Sequence, residues 1–379
     1  MTAPHRASPD ARPRVLHFVT GGFSGATQVA IDLVRAHLHS GQFEPRLVLR
    51  RKRQTPLDKV AALRAQGLPV DVVSGWSHWA TIWQLRRICL QWRPDILVAH
   101  GFSEHLWGRY AGLWAQVPLL VHVEHNSRER YTPWRLAQAR WLARRTACII
   151  GCSQGVRDSL LALGFAPEKT IAIPNGIALQ PYAQADALPL TQRSPGLVMV
   201  ARFARQKDHA TLLHALALLR QRGLQPTLWL AGGGSQRLER RARALVQQLG
   251  LGGQVQLLGR CDDVPGLLMG QRICVLCSHY EGMPLALIEG MAAGCAVVGS
   301  RVPGIQEVIA HERNGLLAAP GDPLALADAL ERLLREPAWA AGLAAQGRRD
   351  AQALYSQQRM QAAYEAQFLQ LLAQGRPTP

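Results

Sequence analysis

The chain has very little lysine: four residues among 43 basic ones in a length of 379. It has no Asp-x-Asp anywhere, the carboxylate pattern by which a divalent ion is bridged to a diphosphate. No apolar stretch reaches the roughly 18 to 20 residues that a bilayer-spanning helix needs. The start, residues 1–13, is polar and proline-rich without an apolar signal region. These absences argue against a helical membrane protein and a secreted one, and the expected location is the cytoplasm. The seven cysteines are an odd number and sit mostly in apolar runs, as at Cys148, Cys274 and Cys295, where a reduced thiol behaves as a small hydrophobe. Cys274 and Cys277 form a CxxC, but they flank Val275-Leu276 in a buried-strand pattern, which points to packing rather than to metal or redox use. No zinc-finger, RNA-recognition or helix-turn-helix pattern accompanies the basic residues, so no nucleic-acid partner is expected.

What is present is a soluble, globular composition, 48% hydrophobic and 18% charged, with a net charge of +17. The charge is uneven: residues 1–185 carry 23 Lys and Arg against 11 Asp and Glu. The clusters are Arg50-Arg51-Lys52-Arg53 and the series Arg128, Arg130, Arg135, Arg140, Arg144, Arg145, the latter interleaved with Trp134, Leu136, Trp141 and Leu142. Arginine with tryptophan on one helix fits an anionic membrane surface or a phosphorylated acceptor, and fits equally a solvated helix face.

The pattern along the chain is of alternating strands and helices. Strand Val15–Thr20, the turn Gly21-Gly22-Phe23-Ser24-Gly25 and an amphipathic run from Ala26 to Leu38 open a dinucleotide-type α/β unit. Short strands follow at 46–49, 70–73, 96–99, 119–123 and 148–151, and then a Pro- and Ala-rich stretch. The pattern restarts with strand 197–201, helix 208–222, strand 227–231, Gly232-Gly233-Gly234, a further helix and strand 255–258. The expectation is a two-domain α/β protein of doubly wound parallel sheets. A first domain occupies 13–178, a linker 179–195 and a second domain 196–355, with a last helix at 356–373 packing back on the first domain. Ligands of such sheets bind at the carboxyl ends of the strands, here facing a central cleft.

The most informative stretch is His279 to Gly294, between apolar runs at 273–277 and 296–299. Pro284 is expected at the first helical position and Gly294 just past the last, the favoured places for those residues. Glu281 then sits at a helix N-terminus whose free amides accept an anion, and Glu289 lies about 6 Å along the axis from Leu285. Two carboxylates around an anion site fit a phosphate ester that carries hydroxyls. Arg202 and Lys207 follow the first strand of the second half, and an ammonium at Lys207, where arginine is otherwise preferred, fits a point-charge contact to phosphate. Without Asp-x-Asp, leaving-group charge falls to Arg202, Lys207, the backbone of the segment Met283, Pro284 and Leu285, and the Gly21-Gly22 turn, so no divalent metal is expected.

Taken together, the Gly-Gly turn, Arg202-x4-Lys207, Gly232–Gly234 and Glu281-x7-Glu289 make the chain resemble the retaining family 4 glycosyltransferases of the GT-B fold, from Val15 to about Phe368. The resemblance implies that Glu289 holds the ribose hydroxyls of a nucleotide-sugar donor and Glu281 faces the transferred sugar. Arg202 and Lys207 would stabilise the departing diphosphate. Gly22 would let backbone approach the same group, with Gly233 and Gly259 beside the donor and Gly21 on the acceptor side. His125 stands after a first-domain strand where the family often has a histidine near the reacting carbon, though Glu124 and Asn126 replace the Thr or Ser often found beside it. His100 is a second, acceptor-side candidate, and for either histidine a structural role is the alternative.

The activity implied is transfer of a sugar from a nucleotide diphosphate sugar, UDP being the commonest donor, to a hydroxyl of a lipid-linked or cell-envelope glycan. The anomeric configuration is retained, with no cofactor and no metal. No carboxylate reads as a nucleophile under the sugar, so same-face attack is favoured over double displacement. Competing readings are a nucleotide-sugar epimerase of the same fold, a sugar phosphorylase and a non-catalytic nucleotide-sugar-binding subunit.

Overall fold

The computed structural model describes residues 12–53, 55–128 and 131–375. Arg130 and most of the polar start lie outside the described residues. The chain forms two compact units, one of residues up to Ile173 together with those from Gln361 on, the other of Pro174–Met360.

In the first unit, β1 (Arg14–Thr20), α1 (Gly25–Ser40), β2 (Glu44–Arg50), α2 (Leu57–Ala65), β3 (Val70–Val73), α3 (His78–Trp92) and β4 (Ile96–His100) are followed by α4 (Glu104–Trp114), β5 (Leu119–Glu124), α5 (Pro133–Ala143), β6 (Cys148–Gly151), α6 (Gln154–Ala162) and β7 (Thr170–Ala172). The seven strands are parallel in the order β3-β2-β1-β4-β5-β6-β7. Both faces are covered, which is why strands such as β4 and β5 read as unbroken buried runs rather than alternating ones. Leu16, Phe18 and Leu97 pack into one layer with Leu85, while Val19, Leu47 and Leu49 pack with Val34 in the other. Each such side chain contributes about 1.5–3 kcal/mol by leaving water. The strand order reverses between β1 and β4, so the ends of those strands, Gly21 and His100, flank the point where such sheets take ligands.

In the second unit, β8 (Ser194–Val200), α7 (His209–Gln221), β9 (Leu228–Ala231), α8 (Gln236–Gln248), β10 (Val255–Gly259), α9 (Val264–Met269) and β11 (Gln271–Leu276) lead to α10 (Leu285–Ala292), β12 (Ala296–Ser300), α11 (Pro303–Val308), β13 (Leu316–Ala318), α12 (Pro323–Arg335) and α13 (Pro337–Leu354). The sheet is again parallel, in the order β10-β9-β8-β11-β12-β13. The doubly wound α/β expectation holds for each unit.

Three details differ from the sequence expectation. Pro284 is the N-cap of α10 rather than its first residue, with φ −86° and ψ 79°; Gly294 does follow the helix at φ +73°. Residues 179–195 do not span the units: they form three short 3-10 turns packed on the second, burying Tyr182, Ala185 and Leu190. Arg193 closes them on the carbonyls of Ala185, Leu188 and Ala293, and Arg348 on Tyr182 O and Asp186. The Pro- and Ala-rich composition that reads as a linker is also what such turns use, and the chain leaves the first unit earlier, after Ile173. Finally, β7 and β13, three residues each, are too short to show a pattern. The last helix, α14 (Gln357–Gln374), belongs to the first unit from Gln361 on. There Tyr364 and Phe368 are buried, Gln361 bonds Asp32 O, and Glu365 accepts from Ser40 and meets His37. Among the described residues no helix is long and apolar enough to cross a membrane.

Candidate active site

The second unit gathers the strand-end loops after β8, β9, β10 and β11 into a laced surface. Phe203 N donates to Gly233 O at 2.7 Å, Ser235 N to Phe203 O at 2.9 Å, and Gly232 N to Gly259 O at 2.6 Å. This lacing requires glycine: a Cβ on Gly232 would stand 2.2 Å from Ala201 O, and the residue sits at φ +146°, a region L side chains rarely enter. Gly233 and Gly259 keep open space where a Cβ would lie, apart from Arg260 Cγ at 3.7 Å from the former. The loop after β8 is in turn paired with the loop after β11. Asp208 N donates to Cys277 O at 2.9 Å, His279 N to Gln206 O at 3.0 Å, and the Gln206 side chain to Tyr280 O at 2.7 Å.

That pairing brings Lys207 and Glu281 into a direct ion pair, both largely buried. The two residues were expected to serve separate groups, phosphate and sugar; here each neutralises the other. A pocket of about 270 Å³ opens beside Lys207, between its loop and α8, lined also by Phe203, Arg205 and Arg241. Arg202 stands exposed, with no ion-pair partner among the described residues. Met283 and Pro284 are buried at the head of α10, where the Met283 thioether accepts from Asn175 N at 3.1 Å, and Leu285 begins the helix. Glu289 lies one turn further in, its carboxyl enclosed enough for burial to push its pKa up to about 7. Gly304, which the sequence reading did not single out, packs its α-carbon beneath Glu281 and Gly282: a Cβ there would meet their carbonyls at 2.6 and 2.5 Å. The CxxC is packing, since Cys274 and Cys277 are buried and burial raises both thiols.

In the first unit, Gly21 donates to Arg50 O at 2.8 Å, and a Cβ on it would stand 2.8 Å from that oxygen and 2.9 Å from Thr55 Oγ1. Gly22 is exposed, with only Thr20 Oγ1 near. The basic run after β2 is not all surface: Arg50 is buried and pairs with Glu104 at 3.2 Å, and Lys52 reaches the same carboxylate at 3.0 Å. Arg51 and Arg53 are exposed.

His100 and His125, expected as separate candidates, are hydrogen-bonded, Nδ1 to Nε2, at 3.2 Å. Burial lowers the pKa of His125 to about 4 and holds that of His100 well below its ordinary value, so both are neutral at pH 7. His17 on β1 bonds the far side of His100 at 3.0 Å. Sequence reasoning missed it, though a histidine inside Val-Leu-His-Phe-Val was a signal. Glu124 holds the His125 amide through Oε1 at 2.8 Å.

Behind them His105, His122 and Glu124 place ligand atoms within 4.8 Å of one another, a spacing that could hold a metal ion. Both His105 nitrogens are already engaged, by Arg109 at 2.6 Å and Tyr131 at 2.9 Å, and the neighbouring buried guanidinium opposes a second cation.

The arginine and tryptophan series on α5 joins a wider aromatic surface. Trp134 is 74% exposed and Trp76 83%; Trp79 stacks with Trp114 at 6.1 Å, Tyr110 with Trp141 at 6.0 Å, and Arg145 lies 4.4 Å over Trp141.

Both halves of the chain match known protein families. Residues 23–180 match the family described as Glycosyltransferase Family 4 and residues 194–336 that described as Glycosyl transferases group 1. The glycogen synthase of Mycobacterium tuberculosis is 28% identical over 262 residues, covering 65% of this chain and 62% of that protein, so the chain spans less than two thirds of that relative. The lipopolysaccharide core biosynthesis glycosyltransferase LpsE of Rhizobium meliloti is 26% identical over 367 residues, covering 95% and 99%. The crystal structure of Anabaena HepE in complex with UDP-glucose superposes with a TM-score of 0.82 at 21% identity, covering 94% of this chain and 99% of that one, and shares the fold. With both halves matched in order and each unit carrying a parallel Rossmann-like sheet, the chain belongs to the group 1 glycosyltransferases of the GT-B fold.

Proposed function

We propose that the protein transfers a sugar from a UDP-sugar to a hydroxyl of a lipid-linked or cell-envelope glycan, with retention at the anomeric carbon and without a metal ion. The observation that carries this reading is the Lys207–Glu281 pair at the head of α10, set among glycine loops that admit a diphosphate to backbone amides. The donor's ribose hydroxyls fall to Glu289 and its diphosphate to Arg202, Lys207 and the Met283 amide, beside Pro284 and Leu285 at the head of α10. As the bond from sugar to phosphate breaks, Lys207 exchanges Glu281 for the growing negative charge, and Glu281 turns to a sugar hydroxyl. The acceptor oxygen attacks the same face, and its proton passes to the departing phosphate oxygen. His125 contacts the transferred sugar, Gly22 admits the diphosphate or the acceptor, and Gly21 and His100 lie on the acceptor side.

UDP is supported by the fold neighbour solved with UDP-glucose, and an envelope glycan by the lipopolysaccharide-core relative. The exposed tryptophans beside arginines on α3 and α5 support a peripheral position on an anionic, cytoplasmic membrane face. The test is incubation of the protein with radiolabelled UDP-sugars, a lipid extract and EDTA. Labelled lipid product with release of UDP is expected. Lys207→Ala should lower turnover by about 10²–10³-fold, the usual cost of losing one charge-stabilising donor; full turnover in that variant would remove Lys207 from the mechanism.

A further inference from the structure

The file of His17, His100 and His125 in the first unit follows from strand register. His17 on β1 lies opposite Val98 on β4, and His100, two residues on, is on the same face; His100 lies opposite Val123 on β5, and His125 is again two residues on. Each imidazole therefore leans diagonally on the next, with ring centres 5.3 and 5.5 Å apart and planes within 29° and 17° of parallel. His17 Nδ1 meets His100 Nε2 at 3.0 Å, and His100 Nδ1 meets His125 Nε2 at 3.2 Å. The two atoms left over, His17 Nε2 and His125 Nδ1, are buried and have no hydrogen-bond partner among the described residues.

A neutral imidazole has one N–H and one bare nitrogen. His100 must therefore donate on one side and accept on the other, so the three tautomers are set together and only two arrangements exist. In the first, His17 donates to His100, His100 donates to His125, and His125 carries its proton on Nδ1. In the second every proton is reversed, His125 Nδ1 is bare, and His17 Nε2–H points into a sealed region packed by His37 and Phe368. His37, held through Nδ1 to Glu365 at 3.1 Å, makes no hydrogen bond to it. Either arrangement leaves one N–H without a partner among the described residues. The first leaves it on His125, half-buried beyond the end of β5 where a bound ligand can supply the acceptor, and the second on His17, wholly enclosed, where it stays unsatisfied, the rarer and costlier outcome.

We infer that His17 and His100 are positioning residues that act as a tautomer relay, fixing His125 so that it presents an Nδ1–H donor to an oxygen of the bound sugar or phosphate. The use of that donor rests on the reading of His125 as a site residue; the relay itself does not.

The test is ¹⁵N-histidine NMR of the full chain near neutral pH, which reports which ring nitrogen is protonated. His125 is expected as a single tautomer protonated at Nδ1. His17→Phe, which never touches His125, should turn His125 into a tautomer mixture, while His17→Asn, which can return an N–H near the Nδ1 place, should restore the single form. His125 protonated at Nε2 in the unaltered protein would overturn the inference even if the Phe variant does not fold, and so would an unchanged His125 in a folded His17→Phe protein. In kinetics, His17→Phe should raise the KM for donor or acceptor roughly tenfold, the worth of one hydrogen bond, with the Asn variant returning it. The relay present in NMR but silent in KM would remove His125 from the substrate and leave the relay standing.

Discussion

Lys207 and Glu281 form a largely buried ion pair, and in the proposed mechanism that pair holds the phosphate-binding charge in check until a donor arrives. Glu281→Gln removes that competitor. The variant should bind UDP several-fold more tightly while its turnover falls, an inversion that isothermal titration and initial rates would detect together; weaker UDP binding would mean that Glu281 orients Lys207 rather than restraining it. Breaking a buried pair by removing one partner also costs stability, typically 3–5 kcal/mol, so a lowered melting temperature is expected. Glu289 makes a separate prediction. Burial pushes its pKa up to about 7; if, as proposed, the ionised carboxylate accepts the ribose hydroxyls, donor affinity should rise with pH through that value and level off above it. Stability runs the other way. The folded state binds the proton more tightly than the unfolded chain, so from about pH 4.5 to 7 the native state loses on the order of 3 kcal/mol, at 1.36 kcal/mol per unit. Glu289→Gln should therefore melt higher than the parent at pH 8 but not at pH 4, and lose the pH dependence of UDP binding.

At the scale of elements, the site is a set of strand-end loops rather than any helix or strand. The loops after β8, β9 and β10 are held by backbone bonds of Gly232, Gly233 and Ser235, with Gly232 and Gly234 both at positive φ. Gly232→Ala must move Ala201 or leave its preferred backbone region, at about 2 kcal/mol or more. Its expected signature is a folded protein whose melting temperature no longer responds to UDP; a full response would show that the lacing is dispensable. The same elements show what was legible beforehand. The strands that carry site residues stood out as apolar runs, several of them, such as β1, β4 and β9, closed by glycine, and Glu281, Glu289, Arg202 and Lys207 stood out by spacing. What spacing could not reveal is contact. That Lys207 pairs with Glu281 depends on the bridge between Lys207 and Ser278, 71 residues apart in sequence. That His17, His100 and His125 form one file depends on the pairing of β1, β4 and β5. The turns at 180–192 were misread because proline marks both a tether and a packed 3-10 turn.

For the whole molecule, the two units should respond differently to acid. In the first, burial lowers the pKa of His17, His37, His100, His105, His122 and His125; in the second, among the described residues, only His209 is so shifted. A histidine whose folded pKa is depressed adds stability that is complete above its unfolded value near 6.5 and is lost as pH falls below it. Hydrogen exchange at pH 5.5 against pH 7.5 should therefore show protection falling first in residues up to 173 and from 361 on, with 174–360 following; loss in the opposite order would contradict the assignment of neutral buried histidines.

The most direct measurement of the central claim is the anomeric configuration of the product formed from a UDP-α-sugar in EDTA, read from the coupling constant of the new glycosidic bond by NMR. An α-linked product accompanied by UDP is the predicted result. A β-linked product, or no turnover until a divalent ion is restored, would contradict metal-free same-face transfer at the Lys207–Glu281 site.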